Sequence, residues 1–284
     1  MDFDIPKEIA DYLDVLDDFI EQEIKPLENE NDNIRFFDHR REDARTDWER
    51  GGLPNDEWEA LLFEARMRAD AAGHYRYAMP KELGGQDGTN LGMAIIREHF
   101  ATKGLGLHND LQNEHSVVGN NVGVLLMANY GTEKQKEEWL PLMLEGKRGF
   151  AFGITEPAHG SDATHMETKA ERDGDGWRIN GAKTWNTGIH KAQYDMVMAR
   201  TSGNPGDGDG ITAFLTPMKA DGVNIEEFLW TFNMPTDHGT VSFTNVYVDN
   251  MSIFGEEGHG LQIVQHFFNE NRIRQAASSL GAAQ

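Results

Sequence analysis

The chain of 284 residues contains no cysteine. Disulfides, thiolate-bound metal and thiol catalysis are therefore excluded. Long apolar runs are missing as well, and no stretch approaches the roughly 18 residues of a membrane-spanning helix, so membrane insertion is not expected. Basic residues are scarce: 26 Lys and Arg stand against 48 Asp and Glu, for a net charge of −22. Residues 1–60 hold 20 acidic and 7 basic side chains, so −13 of the −22 lies there. Such a surface repels nucleic acid and anionic lipid, which are bound through Lys/Arg patches. No nucleic-acid partner is expected. The opening Met1-Asp-Phe-Asp is acidic, unlike a secretory or mitochondrial leader, and a cytoplasmic location is the expectation. The eleven histidines show no HExxH or similar spacing; His99, His108 and His115 read as helix or loop residues, and no metal is expected. Gly104-Leu-Gly106 has neither a third glycine nor a preceding strand, which argues against a dinucleotide fingerprint.

What is present falls into three parts. Ile9, Tyr12, Leu13, Leu16, Phe19, Ile20 and Ile24 recur at helical spacing, between Pro6 at the start and Pro26 at the expected end. Residues 28–54 are polar and read as a long loop. A second helix starts at the N-cap Asn55, turns Trp58, Leu61, Leu62 and Ala65 inward and stops at Gly73. Further helices are expected near 89–103 and 114–129. Thr132-Glu-Lys-Gln135 is a capping box for another, which ends near Gly146. From Arg148 the period changes to alternation, with strands expected at 149–154, 165–172, 176–182, 193–201, 210–217, 223–229 and 240–248. Asp173-Gly-Asp-Gly176 and Asn180-Gly181 are expected hairpin turns. Helical spacing returns from Gly258 and runs to Gln284. The fold class expected is α+β and multidomain. An all-α domain (1–148) precedes an antiparallel β-barrel or two-sheet domain (149–257), and residues 258–284 form the truncated first helix of an all-α C-terminal domain.

The chemistry centres on Phe150-Ala-Phe152-Gly-Ile154-Thr155-Glu156-Pro157-Ala-His-Gly160-Ser161-Asp162. A short apolar strand runs into two tight turns, which places consecutive backbone N–H groups and two hydroxyls on one rim. Such a rim suits a planar ring with an adjacent phosphate or thioester. Lys183-Thr-Trp185-Asn186-Thr187-Gly188 follows about one strand pair downstream.

This Thr-Glu-Pro-x-x-Gly-Ser-Asp turn, opening a β unit between helical units, resembles the acyl-CoA dehydrogenase family. Tyr130-Gly-Thr-Glu-Lys-Gln through Trp139-Leu-Pro141 is similar to the family's segment before its flavin strand, and Trp177-Arg-Ile-Asn180-Gly181-Ala-Lys183-Thr-Trp185 to its central hairpin. Phe243-Thr-Asn-Val246-Tyr-Val248, Gly255-Glu-Glu-Gly258-His-Gly260 and Arg272 through Gln284 resemble the passage into its last domain. The resemblance implies FAD, an acyl-CoA substrate, and dehydrogenation to the trans-2-enoyl-CoA by loss of the α-proton and transfer of the β-hydride to flavin N5. It implies an electron-transfer flavoprotein as acceptor and a homodimer or homotetramer. Carried over by motif, Phe152, Ile154, Thr155, Gly160, Ser161, Trp185, Asn186 and Thr187 would meet the cofactor, while Ser161, Asn269, Glu270, Asn271 and Arg272 would meet the substrate. Asn186 stands where the family usually has an aliphatic residue, and Gly188 where Asn is common. The base that some members carry just before the arginine matching Arg272 is Asn271 here, and an amide cannot take a proton. Glu270 is a weak substitute, about 100° around the helix, so the base is expected beyond Gln284. The alternatives are an acyl-CoA oxidase and a non-catalytic descendant that binds flavin, CoA or a protein.

Overall fold

The computed structural model describes residues 4–111, 114–119, 121–231 and 234–284, apart from the side chains of His39 and Glu42. Helix α1 (Lys7–Phe19) buries Ile9, Leu13, Leu16 and Phe19. Pro26 does not end it as expected. The chain passes through a π-turn at Ile20–Ile24 into α2 (Lys25–Asn29), in whose first turn Pro26 has no obligatory N–H to place. The polar stretch after it is no free loop either. It forms 3₁₀ turns and a small ladder, β1 (Thr46–Asp47) with β2 (Leu53–Pro54). Arg45 anchors it with a buried ion pair to Asp110 at 2.8 Å, its guanidinium lying 4.4 Å from the Trp58 ring centroid.

Helix α3 (Asp56–Ala71) is capped as expected, Asn55 accepting from the Glu57 N–H at 2.8 Å. With α4 (Asn90–Thr102) it closes the first core, around Trp58, Ile96 and Phe100. The helix expected near 114–129 is shorter, and position 120 of that span lies outside the described residues. β3 (Asn109–Asp110) pairs with β4 (His115–Ser116), and α5 begins only at Val122 and runs to Tyr130. The β-branched pair Val117-Val118 followed by Gly119 disfavours helix there. The capping box at Thr132 and Gln135 is formed and starts α6 (Glu133–Leu144).

The second half is a strongly bent sheet: β5 (Phe150–Gly153), β6 (Lys169–Asp173), β7 (Gly176–Thr187), β8 (Tyr194–Arg200), β9 (Ile211–Pro217), β10 (Val223–Thr231), β11 (Met234–Asp249) and β12 (Ile253–Phe254). Its order is β10-β11-β7-β6-β8-β9-β12, with β5 beside β8. β6 is the corner between two packed layers. Trp177 and Val246 from one layer meet Val197 and Phe214 from the other, and the Trp177 and Phe214 rings stand edge to face at 5.6 Å. Two expectations are corrected here. The sheet is not wholly antiparallel, because β5 pairs with β8 in parallel, β6 and β7 intervening in the chain. Asn180-Gly181 is no turn but lies inside β7, where a bulge opposite β11 is accommodated by Gly181 at φ +148°. Helix α7 (Gly260–Ala283) then packs on α4 and against the β8–β9 face, burying Ile263 and Val264 among Met196, Ala213 and Leu215.

Candidate functional site

Strand β5 alternates. Ala151 and Gly153 turn into the sheet interior, while Phe150 and Phe152 face the helices. Phe152 stacks on Phe267 of α7 at 4.3 Å and 20°. A cavity of about 520 Å³ opens between this strand, the end of β7, α5 and α7. Phe152, Ile154, Thr155, Trp185, Thr187 and Asn271 line it, so the two motifs separated by about thirty residues meet at one wall.

They are stitched together. Thr184 N–H donates to the Thr155 carbonyl at 2.8 Å, and Lys183 Nζ to the Ile154 carbonyl at 3.3 Å. Lys183 is fully buried and pairs with Glu156 at 2.7 Å. Glu156 also accepts the backbone N–H groups of Glu167 and Thr168, the latter at 2.9 Å. Burial works to raise the Glu156 carboxyl, but Lys183 and these donors hold it below its ordinary value. Burial pulls the Lys183 ammonium down against the pull of Glu156.

The other residues of the second motif divide by strand alternation. Trp185 has φ +64°, a left-handed backbone rare for a bulky side chain, at the bulge between Gly239 and Val241 of the facing strand. The bulge leaves the indole 47% exposed on the cavity wall, edge-on to His238. Asn186 points the opposite way. It is fully buried and donates its amide to Asp195 of β8, which gives this polar residue a polar partner in the interior. Burial pushes the Asp195 carboxyl up to about 7, although Lys183 and Asn186 oppose the shift. Gly153 makes room for the pair, since a Cβ there would lie 2.9 and 3.0 Å from the Asp195 oxygens and 3.1 Å from Asn186 Nδ2.

Gly160 and Ser161 do not reach the cavity; both are exposed on the turn after β5. On α7, positions 267, 271 and 274 share the cavity face at i, i+4, i+7 spacing. Asn269, Glu270 and Arg272 lie off it, and Arg272 covers the Phe268 ring at 5.1 Å. Arg274 and Glu114 line the cavity and were not anticipated from the sequence. The signal for Arg274 was available, one helical turn after Asn271. Nothing local pointed to Glu114, which a φ of +59° and the β3–β4 hairpin bring to the wall. His108 and His115 are buried and bond to the Phe100 and Leu107 carbonyls.

These residues fit a flat heteroaromatic group. An exposed indole and two hydroxyls, Thr155 and Thr187, neither bonded to another described residue, face one cavity whose lining is part aromatic and aliphatic, part polar. The model for the acyl-CoA dehydrogenase N-terminal domain matches residues 34–147 and that for the acyl-CoA dehydrogenase middle domain residues 151–246. A 3-(aryl)acrylate reductase of Clostridium sporogenes is 31% identical over 94% of this chain and 63% of its own length. The probable acyl-CoA dehydrogenase FadE2 of Mycobacterium tuberculosis is 29% identical over 100% of this chain and 66% of its own length. The chain thus spans just under two thirds of these relatives. A solved structure of a putative acyl-CoA dehydrogenase from Mycobacterium abscessus superposes with a TM-score of 0.77 at 26% identity, covering 98% of this chain and 68% of the other.

Proposed function

This chain belongs to the acyl-CoA dehydrogenase family, and we propose that it serves the FAD-dependent α,β-dehydrogenation of an acyl-CoA thioester to the trans-2-enoyl-CoA. One observation carries the reading: the β5 turn and the β7 bulge, distant in sequence, face Asn271 and Phe267 of α7 across a single cavity. When bound, FAD would supply the acceptor for the hydride that leaves the β-carbon. Ile154 and Thr155 would hold its pyrimidine edge, Trp185 would cover the ring, and Thr187 would donate near N5. Phe152, held by Phe267, would orient the acyl chain against the ring. The exposed Ser161, Asn269 and Arg272 are assigned to the CoA side, and an electron-transfer flavoprotein to the role of acceptor. The α-proton needs a carboxylate. Asn271 cannot provide one, Glu270 lies off the cavity, and Glu114 is tied to Arg274, so the base is proposed to come from outside the described residues.

The test is spectroscopic. The protein expressed from the full reading frame that contains residues 1–284, reconstituted with FAD, is titrated anaerobically with a saturated acyl-CoA while the flavin's visible absorbance is followed. Bleaching is expected. Failure to retain flavin, or flavin that no acyl-CoA bleaches, would reject the proposal.

A further inference from the structure

One wall of the cavity carries more positive charge than the protein neutralises. Arg274 lines it at 4% exposure. Its Nη2 donates to Glu114 Oε2 at 2.9 Å and to Asn271 Oδ1, while its Nε has no partner among the described residues. Behind it stands Arg97, 2% exposed. Arg97 donates to the neutral Asn109 Oδ1 at 2.5 Å, forms no ion pair among the described residues, and likewise leaves its Nε without a partner. Burial, and then the neighbouring Arg274, pull the Arg97 guanidinium down to about 9, which still leaves it protonated at neutral pH.

The surrounding charges do not correct the imbalance. Arg148, also on the cavity wall, is matched by Glu138 at 3.1 Å. His238 is matched by Asp237, and burial keeps the His115 imidazole neutral. Two guanidinium groups therefore share one carboxylate. Glu114 is a partial partner, its side chain 47% exposed and its backbone left-handed. An unmatched buried cation is strongly unfavourable, and here the imbalance borders a cavity that a ligand can enter.

We propose that this wall is a carboxylate subsite, and that the cavity takes an acyl thioester whose acyl chain ends in a second carboxylate, received by the Arg274 guanidinium. The assignment rests on the acyl-thioester reading above and narrows it. The same guanidinium could instead receive a phosphate of CoA. Burial argues for the acyl end, because Arg97 of α4 and Arg274 of α7 are both buried where the two helices pack, whereas the bulky phosphates need an open side of the site.

Three probes separate the possibilities by calorimetric titration of the full protein: CoA alone, hexanoyl-CoA, and adipoyl-CoA, which differs from hexanoyl-CoA by the terminal carboxylate. Adipoyl-CoA is expected to bind about tenfold more tightly than hexanoyl-CoA, the gain of one charge-assisted hydrogen bond. Arg274→Gln should abolish that difference, so that the variant binds the two thioesters equally. Glu114→Gln removes the competing carboxylate from a half-exposed position, where folding is not at risk, and should widen the difference. Equal binding of the two thioesters, or a Glu114→Gln variant that narrows the gap, would overturn the subsite. Loss of affinity for all three probes in Arg274→Gln would assign the anion to CoA phosphate and overturn it equally. If hexanoyl-CoA does not bind at all, the acyl-thioester reading fails first, and the subsite falls with it.

Discussion

The Asp195 carboxyl, sealed between β5 and β7, makes a quantitative prediction. It is fully buried, is held by the Asn186 amide and leaves Oδ1 without a partner among the described residues, as does Asn186 Oδ1. A proton there would supply a donor where two acceptors lack one. Burial carries the group from an ordinary 3.8 to about 7, against the lowering effects of Lys183 and Asn186. Between those two values the folded protein keeps a proton that the unfolded chain releases. The contribution to stability is therefore complete below about pH 4 and is lost as the pH rises through about 7. At about 1.36 kcal/mol per pH unit, the full span is worth roughly 4 kcal/mol. Asp195→Asn keeps the shape and removes the titration. Urea unfolding of both proteins from about pH 5 to about pH 8 should show the variant gaining on the wild type by roughly 1.4 kcal/mol per pH unit, then levelling off above about pH 7. Taking the difference between the proteins cancels the titrating groups that do not interact with Asp195. A difference that stays flat with pH would refute the buried, protonated carboxyl and the account of Asn186 that goes with it.

Other substitutions probe the same wall. Lys183→Met leaves Glu156 buried with only its two backbone donors and should cost about 3–5 kcal/mol in chemical denaturation. The Glu156→Gln/Lys183→Met double variant should recover most of that loss, and a double variant no more stable than the single would contradict the pairing. Gly153→Ala places a methyl against Asp195 and Asn186, with an expected loss of about 1–3 kcal/mol from overpacking; a neutral or stabilising outcome would show that the space is not filled as described. Trp185→Gly should change stability by no more than about 1 kcal/mol, because relief of the left-handed backbone offsets the lost contacts. Flavin affinity, measured by equilibrium dialysis, should fall sharply in the same variant. Retained affinity would remove Trp185 from the site.

Much of the architecture was legible in the sequence because its signals are local. The Asn55 cap, the Thr132–Gln135 capping box and the alternation that begins at Arg148 each depend on residues within one turn or one strand. The resemblance also identified which two stretches to watch, and both reach the cavity. Local reading failed where packing overrode propensity. Pro26 did not stop a helix that a π-turn could carry past it, and Asn180-Gly181 did not turn where β11 required a bulge.

The sequence by itself determined the order of helical and β units, the absence of thiol chemistry, and the motif that would face a flat ring. Only tertiary structure decided which side chains of each motif face the cavity. Strand alternation and the bulge at Trp185 send Trp185 and Thr187 to the wall and Asn186 into the interior, toward a partner nine residues away that no spacing rule connects to it. The same holds for Arg274 and Glu114, which lie 160 positions apart and meet because α7 packs on α4 beside the β3–β4 hairpin. Charge balance around a cavity is a property of three-dimensional neighbours, and composition, at −22 overall, pointed to the opposite sign.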